Sequence, residues 1–131
     1  MMSLAATCLA LAIYFEARGE PDLGKHYVAH TVMNRSVDYE EGSVCAAVFD
    51  PEQFSWTINV KRSINLSVMT SEAIRQVSDQ KSWLTSIEIA KKVQKRKRDI
   101  TNGAKFFNER RKGIRYKTKL KPRTIGKHTF Y

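Results

Sequence analysis

Leu4-Ala5-Ala6-Thr7-Cys8-Leu9-Ala10-Leu11-Ala12-Ile13-Tyr14-Phe15-Glu16-Ala17-Arg18-Gly19-Glu20-Pro21 is the stretch on which the fold turns. Leu4, Cys8, Leu11 and Phe15 recur at helical spacing, and so do Ala5, Leu9 and Ala12, and Ala6, Ala10 and Ile13. Apolar residues on almost every face predict a central, buried helix rather than an amphipathic surface one. Ser3 is its expected N-cap, and it runs to about Ala17, where Gly19 and Pro21 punctuate the exit. The run therefore ends on Glu16. A carboxylate at the end of a buried helix, beside an open turn, can have apolar walls that favour its protonated form and still reach a substrate.

Outward from this helix, the 131-residue length predicts one domain with a core of its own. The net charge is +10 and unevenly spread. Residues 1–90 carry 7 Lys and Arg against 11 acids, whereas residues 91–131 carry 16 against 2. Such asymmetry points to a polyanionic partner: nucleic acid, an anionic membrane face or an anionic cell wall. Cys8 and Cys45 both sit among apolar residues and nothing marks the chain as secreted, so we expect two buried free thiols. Residues 1–15 have no Lys or Arg before the apolar run and continue directly into Glu16-Ala17-Arg18, which argues against a signal peptide. The run is also too short to span a bilayer, so the chain is expected to carry no export signal and no membrane segment.

A second helix is expected from Asp22 to about Arg35, with Tyr27, Val28, Thr31 and Val32 on its apolar side. After a polar loop, Ser43 caps a short helix over Val44 to Phe49, which Asp50-Pro51 breaks. Gln53 to Thr57 reads as extended chain or a short strand. A longer helix is predicted from Thr70 or Ser71 into Lys91–Arg98, either continuous or broken near Ser78–Ser82. Thr101-Asn102-Gly103-Ala104 is a turn, Lys105 to Asn108 a short strand, residues 109–123 a basic loop, and Thr124 to Tyr131 a terminal strand. The sum is a mostly helical α+β domain with a small sheet.

The blocks Ala12-Ile13-Tyr14-Phe15-Glu16-Ala17-Arg18-Gly19-Glu20-Pro21, Gly24-Lys25, Val28-Ala29 and Val32-Met33-Asn34-Arg35 resemble the SleB/CwlJ-like cell-wall hydrolases. So do Gln53-Phe54-Ser55-Trp56, the Asp99, Thr101, Gly103-Ala104 and Phe107-Asn108 series, and the end, Ile125-Gly126-Lys127-His128-Thr129-Phe130-Tyr131. The blocks cover nearly the whole chain in order. The resemblance implies peptidoglycan cleavage on a lysozyme-like fold, in the manner of a lytic transglycosylase acting on the bond between muramic acid and glucosamine. It places the catalytic glutamate at Glu16 and a second acidic position at Glu20.

Around Glu16, Tyr14 and Phe15 are expected to wall the site. Gln53 and Ser55 can hydrogen-bond sugar hydroxyls or the N-acetyl group, Trp56 can offer a flat face to a sugar ring, Gly103-Ala104 would let backbone approach the glycan, and Asn108 is a further polar contact. One strong glutamate with no clear distant partner suits a scheme in which one carboxyl first protonates the leaving oxygen and then takes the proton of the sugar's C6 hydroxyl, closing a 1,6-anhydro ring. A hydrolytic muramidase and an N-acetylmuramoyl amidase are the alternatives. The chain departs from the family where Ile100 replaces a frequent Pro and where Arg110 to Tyr116 forms a basic stretch in place of an aromatic one.

The short basic chain suggests a phage lysin that waits in the host cytoplasm and reaches the wall through a membrane lesion. Its expected partners are glycan strands and, through residues 91–131, an anionic wall or membrane surface. We expect a monomer with no cofactor. His26 and His30 stand four apart, a spacing that can bind zinc, but the Glu that follows the first His in metalloprotease helices is missing and no third ligand follows. The rival class is a nucleic-acid-binding protein in which the basic tail neutralises phosphates and Phe106, Phe107 and Tyr116 stack on bases. Membrane permeabilisation by the basic helix end ranks below both, since Lys91 to Arg98 holds only Val93 as an apolar residue.

Overall fold

A computed structural model describes residues 2–51, 53–96, 98–109 and 120–131. It is a mostly helical α+β structure with helices α1 (Leu4–Ala17), α2 (Asp22–Ser36), α3 (Val44–Phe49), α4 (Leu66–Ile74) and α5 (Gln80–Lys95). These are followed by strands β1 (Phe107–Glu109), β2 (Arg123–Ile125) and β3 (His128–Phe130). The strands form one antiparallel sheet in the order β1-β3-β2. No helix among the described residues is long and apolar enough to cross a membrane.

α1 is the hub, as its all-round apolar pattern predicts. Cys8 through Tyr14 are fully buried, and the helix packs against α2, α3, α4 and α5. Ser3 Oγ accepts from the Ala6 N–H at 3.1 Å and starts it, and Ser43 Oγ caps α3 in the same way. Tyr14 fixes α1 to the far side of the core. Its hydroxyl oxygen accepts from the Ser78 N–H at 3.2 Å and the Asp79 N–H at 2.9 Å, in the break between α4 and α5. The expected long helix is thus two, with Asp79 capping the second through the Ser82 N–H. The first begins earlier than Thr70, because the Asn65 side chain accepts from the Ser67 and Val68 N–H groups and nucleates the turn at Leu66.

Three further expectations are corrected. Cys8 and Cys45 are not free thiols but a disulfide with Cα atoms 5.2 Å apart, because packing α3 on α1 brings the two side chains together. Ser55–Asn59 is a 3₁₀ turn rather than extended chain, closed by the Thr57 hydroxyl donating to the Phe54 carbonyl at 2.7 Å. The terminal segment is a hairpin rather than one strand. Gly126, at φ +59°, leads a two-residue turn between β2 and β3. The basic loop expected over 109–123 lies mostly outside the described residues, and so does the Arg110–Tyr116 stretch.

The sheet docks on α2 through a second apolar cluster that includes Ala17, Tyr27, Val28, Ala104 and Phe130. Its other anchor is polar. The Asn34 amide on α2 donates to Asp99 Oδ2 at 2.8 Å, Thr101 Oγ1 at 3.1 Å and the Ala104 carbonyl at 2.9 Å. Asp99 in turn accepts from the Thr101 N–H and hydroxyl and from the Gly103 N–H. Burial opposes the ionisation of Asp99, but these donors outweigh it and hold the carboxyl below its ordinary value.

Candidate active site

Glu16 stands half-buried on the last turn of α1, at the junction of two adjoining cavities. The first, of about 630 Å³, is lined by Gly19, Glu20, Gly126 and Lys127. The second, of about 640 Å³, runs along Gln53, Phe54, Ser55, Ile58, Phe107 and Asn108. Glu16, Glu109 and His128 line both. The cleft therefore lies between the exit of α1, the 3₁₀ turn and the edge of the sheet carrying β1. Both volumes fall within the range that binds small organic ligands.

Of the residues expected at the site, Glu16, Glu20, Gln53, Ser55 and Asn108 are brought together on this cleft. The others are placed elsewhere. Tyr14 is fully buried and occupied with the α4–α5 break. Phe15 and Trp56 stack on each other, with ring centroids 4.6 Å apart and an interplanar angle of 24°. Trp56 also packs near Phe49 and Phe54, so it braces the 3₁₀ turn from behind and lines neither cavity. Gly103 and Ala104 belong to the Asp99 loop and line neither cavity. Arg18 turns back onto Tyr14, its Nη1 donating to the phenol oxygen at 2.6 Å.

The structure adds Glu109 and His128 to the cleft; His128 belongs to the terminal block that carries the family resemblance, but is expected there to close the fold rather than to touch substrate. Glu109 was assigned to the basic loop, but β1 extends one residue further and its register sets Glu109 opposite His128. His128 is buried, with its ring edge-on to Phe107 at 5.2 Å. Its Nδ1 lies 3.4 Å from Glu20 Oε1. Burial lowers the His128 pKa, and the charges of Glu20 and Glu109 only partly oppose it, so the ring is held neutral below its ordinary titration range. Period-two alternation carried on from Phe107 was the available signal for Glu109.

The α2 histidines are separated by their partners. His26 Nδ1 lies 2.9 Å from the Asp22 carbonyl, whereas His30 is buried with Nδ1 3.8 Å from Asp99 Oδ1. Among the described residues no three His, Cys, Asp or Glu side chains gather as metal ligands.

The chain belongs to the cell wall hydrolase family, whose model matches residues 19–131. This is the family that the sequence blocks resemble. Membership makes the protein a hydrolase of the bacterial cell wall with peptidoglycan as its substrate class. The matched region begins at Gly19, so it contains Glu20, the 3₁₀ turn and the whole sheet, while Glu16 lies three residues before it. Comparison with curated proteins and with solved structures gives no match.

Proposed function

We propose that the protein is a peptidoglycan glycosidase of the lytic transglycosylase type, cutting the bond between N-acetylmuramic acid and N-acetylglucosamine with Glu16 as the catalytic acid. The observation that carries this reading is the position of Glu16 at the junction of two cavities of similar size, so that a glycan strand laid along the cleft would present one linkage to it. Glu16 protonates the leaving glycosidic oxygen, and the resulting carboxylate takes the proton of the C6 hydroxyl as that oxygen closes on C1. Gln53, Ser55 and Asn108 offer hydrogen bonds to hydroxyl and N-acetyl groups along the second cavity. A helical body with a small sheet flanking a glutamate at a helix end supports a lysozyme-like arrangement. A phage lysin is the biological role we favour, with the basic 91–131 region drawn to anionic wall or membrane surface. Placement of the gene beside a holin would support that role, and a setting free of phage genes would count against it.

One observation favours a second reading. Glu109 gives the cleft a further carboxylate across from Glu16, which a hydrolytic muramidase would use to activate water or to hold a glycosyl intermediate. Digestion of purified wall followed by mass spectrometry separates the two: 1,6-anhydromuramic ends support the transglycosylase, reducing ends the hydrolase, and released stem peptides an amidase. Glu16→Gln is expected to keep the fold and lose at least about 10²-fold in cleavage rate. Wild-type cleavage by that variant would overturn the assignment of the acid.

A further inference from the structure

Glu20 has the composition of a second catalytic acid but not its surroundings. Its side chain is only 8 % exposed. Oε1 accepts from the Lys127 N–H at 2.6 Å, a bond between residues 107 apart in the chain, and the same oxygen lies 3.4 Å from His128 Nδ1. The turn it grips has been cut to fit. A Cβ on Gly126 would stand 2.7 Å from that oxygen and 3.1 Å from Pro21 Cδ. Carboxylate, turn and ring thus meet at one oxygen, and Gly126, Lys127 and His128 all line the first cavity beside Glu16.

We propose that Glu20 is a positioning residue: it latches the Gly126–Lys127 turn onto the exit of α1, beside the His128 ring, and so fixes the cleft wall that faces Glu16. The proposal rests on the reading of Glu16 as the acid. The latch has one charged acceptor taking a backbone N–H, among the stronger hydrogen bonds available. His128 reports on it, since Glu20 on the α1–α2 turn and Glu109 on β1 are the charged groups that oppose the effect of burial on its ring. The sheet keeps its other anchors on α2, so releasing this contact shifts the turn locally, by a fraction of an ångström to an ångström, enough to lower kcat more than stability.

The test compares variants of the full chain in wall cleavage, each assayed well below its own Tm. Glu20→Ala is expected to lower kcat on the order of 10²-fold, since a misplacement of about 1 Å costs that much. Glu20→Gln keeps an oxygen for the Lys127 N–H and should return to within about tenfold of wild type, a neutral acceptor being roughly half as strong. In the same variant the His128 ring signals, followed by NMR, should titrate at lower pH because a charge opposing burial is gone. Gly126→Ala should also lower kcat, and by less in a Glu20→Ala background, since the carboxylate it collides with is absent. A folded Glu20→Ala protein with wild-type kcat would overturn the proposal. So would Glu20→Gln as inactive as Glu20→Ala, which would assign the charge itself to the chemistry, and so would additive effects of Glu20→Ala and Gly126→Ala. Activity retained by Glu16→Gln would remove the acid instead, while leaving the His128 shift and the Gly126 coupling to judge the latch.

Discussion

The helical body and the sheet wall hold the same cleft by different means. The body, α1 to α5, is organised by apolar burial: α1 has neighbours on every side, the Cys8–Cys45 bridge joins it to α3, and Tyr14 ties it to the α4–α5 break. Among the described residues the wall is three strands of three residues each. It is held by contacts that reach far along the chain: Phe130 against Tyr27, Asn34 to the Asp99 loop, Arg123 Nη1 donating to the Tyr27 hydroxyl at 2.6 Å, and Glu20 to Lys127. The lesson is a division of labour. The body places Glu16 on a rigid helix end, and the wall supplies the shape and charge opposite it. Stability and activity should therefore respond to different residues.

The largest expected effect falls in the body. The disulfide spans 37 residues of sequence, and replacing both cysteines with alanine is expected to cost up to about 4 kcal/mol in urea unfolding, with kcat unchanged in the protein that remains folded. A fall in kcat out of proportion to stability would break the comparison. Next, Tyr14→Phe leaves the Ser78 and Asp79 N–H groups without their acceptor, and is expected to cost about 1–3 kcal/mol by the same measurement. The joint between the two regions should show a mixed response. Asn34→Ala removes three hydrogen bonds between α2 and the loop leading to β1, and about 1–2 kcal/mol with a measurable loss of kcat is the expected outcome. Full activity in that variant would show that the wall does not depend on this anchor.

The smallest effect is a pH dependence. His30 and His128 both titrate below their ordinary value in the folded protein, burial being the main cause for each. Between those lowered values and about 6.5 the unfolded chain binds more protons, so stability rises with pH across that window. Asp99 acts lower down. Its folded pKa is depressed, so its contribution is complete above its unfolded value of about 3.9 and is lost as pH falls through the folded one. Thermal melts from pH 3 to 8 should show both slopes (roughly the interval those values bracket), with Asp99→Asn flattening the acid end and, by removing the charge that favours protonated His30, extending the histidine slope to lower pH.

Much of the body could be read from residue order. The all-round apolar run announced α1, and the Ser3 and Ser43 caps marked two helix starts, because periodicity and capping are local. What escaped was tertiary. Nothing near Cys8 or Cys45 says that α3 lays one against the other. Asn65 was an overlooked cap because its helix also carries the exposed Val68 and Ile74, which blur the apolar stripe. At the site, Glu16 and the Gln53-Ser55 pair were legible from motif and chemistry and reach the cleft, but Trp56 turned inward because Phe15, Phe49 and Phe54 offer it more apolar contact than the cleft does. Alternation from Phe107 could have pointed to Glu109, but its pairing with His128 across β1 and β3 depends on a strand register that no short window of sequence contains.

The bond from Lys127 to Glu20 has a consequence for when the protein becomes itself. It joins the exit of the first helix to a turn 107 residues later. Contacts of such separation form late, because their loop-closure entropy must be met before they contribute anything. The helices can collapse around α1 with little help from the last residues. The cleft cannot, since one of its walls is the β2–β3 hairpin, folded back against the exit of α1. A growing chain would thus have its core well before its cleft, and a wall-degrading site would come into being only as the β2–β3 hairpin docks.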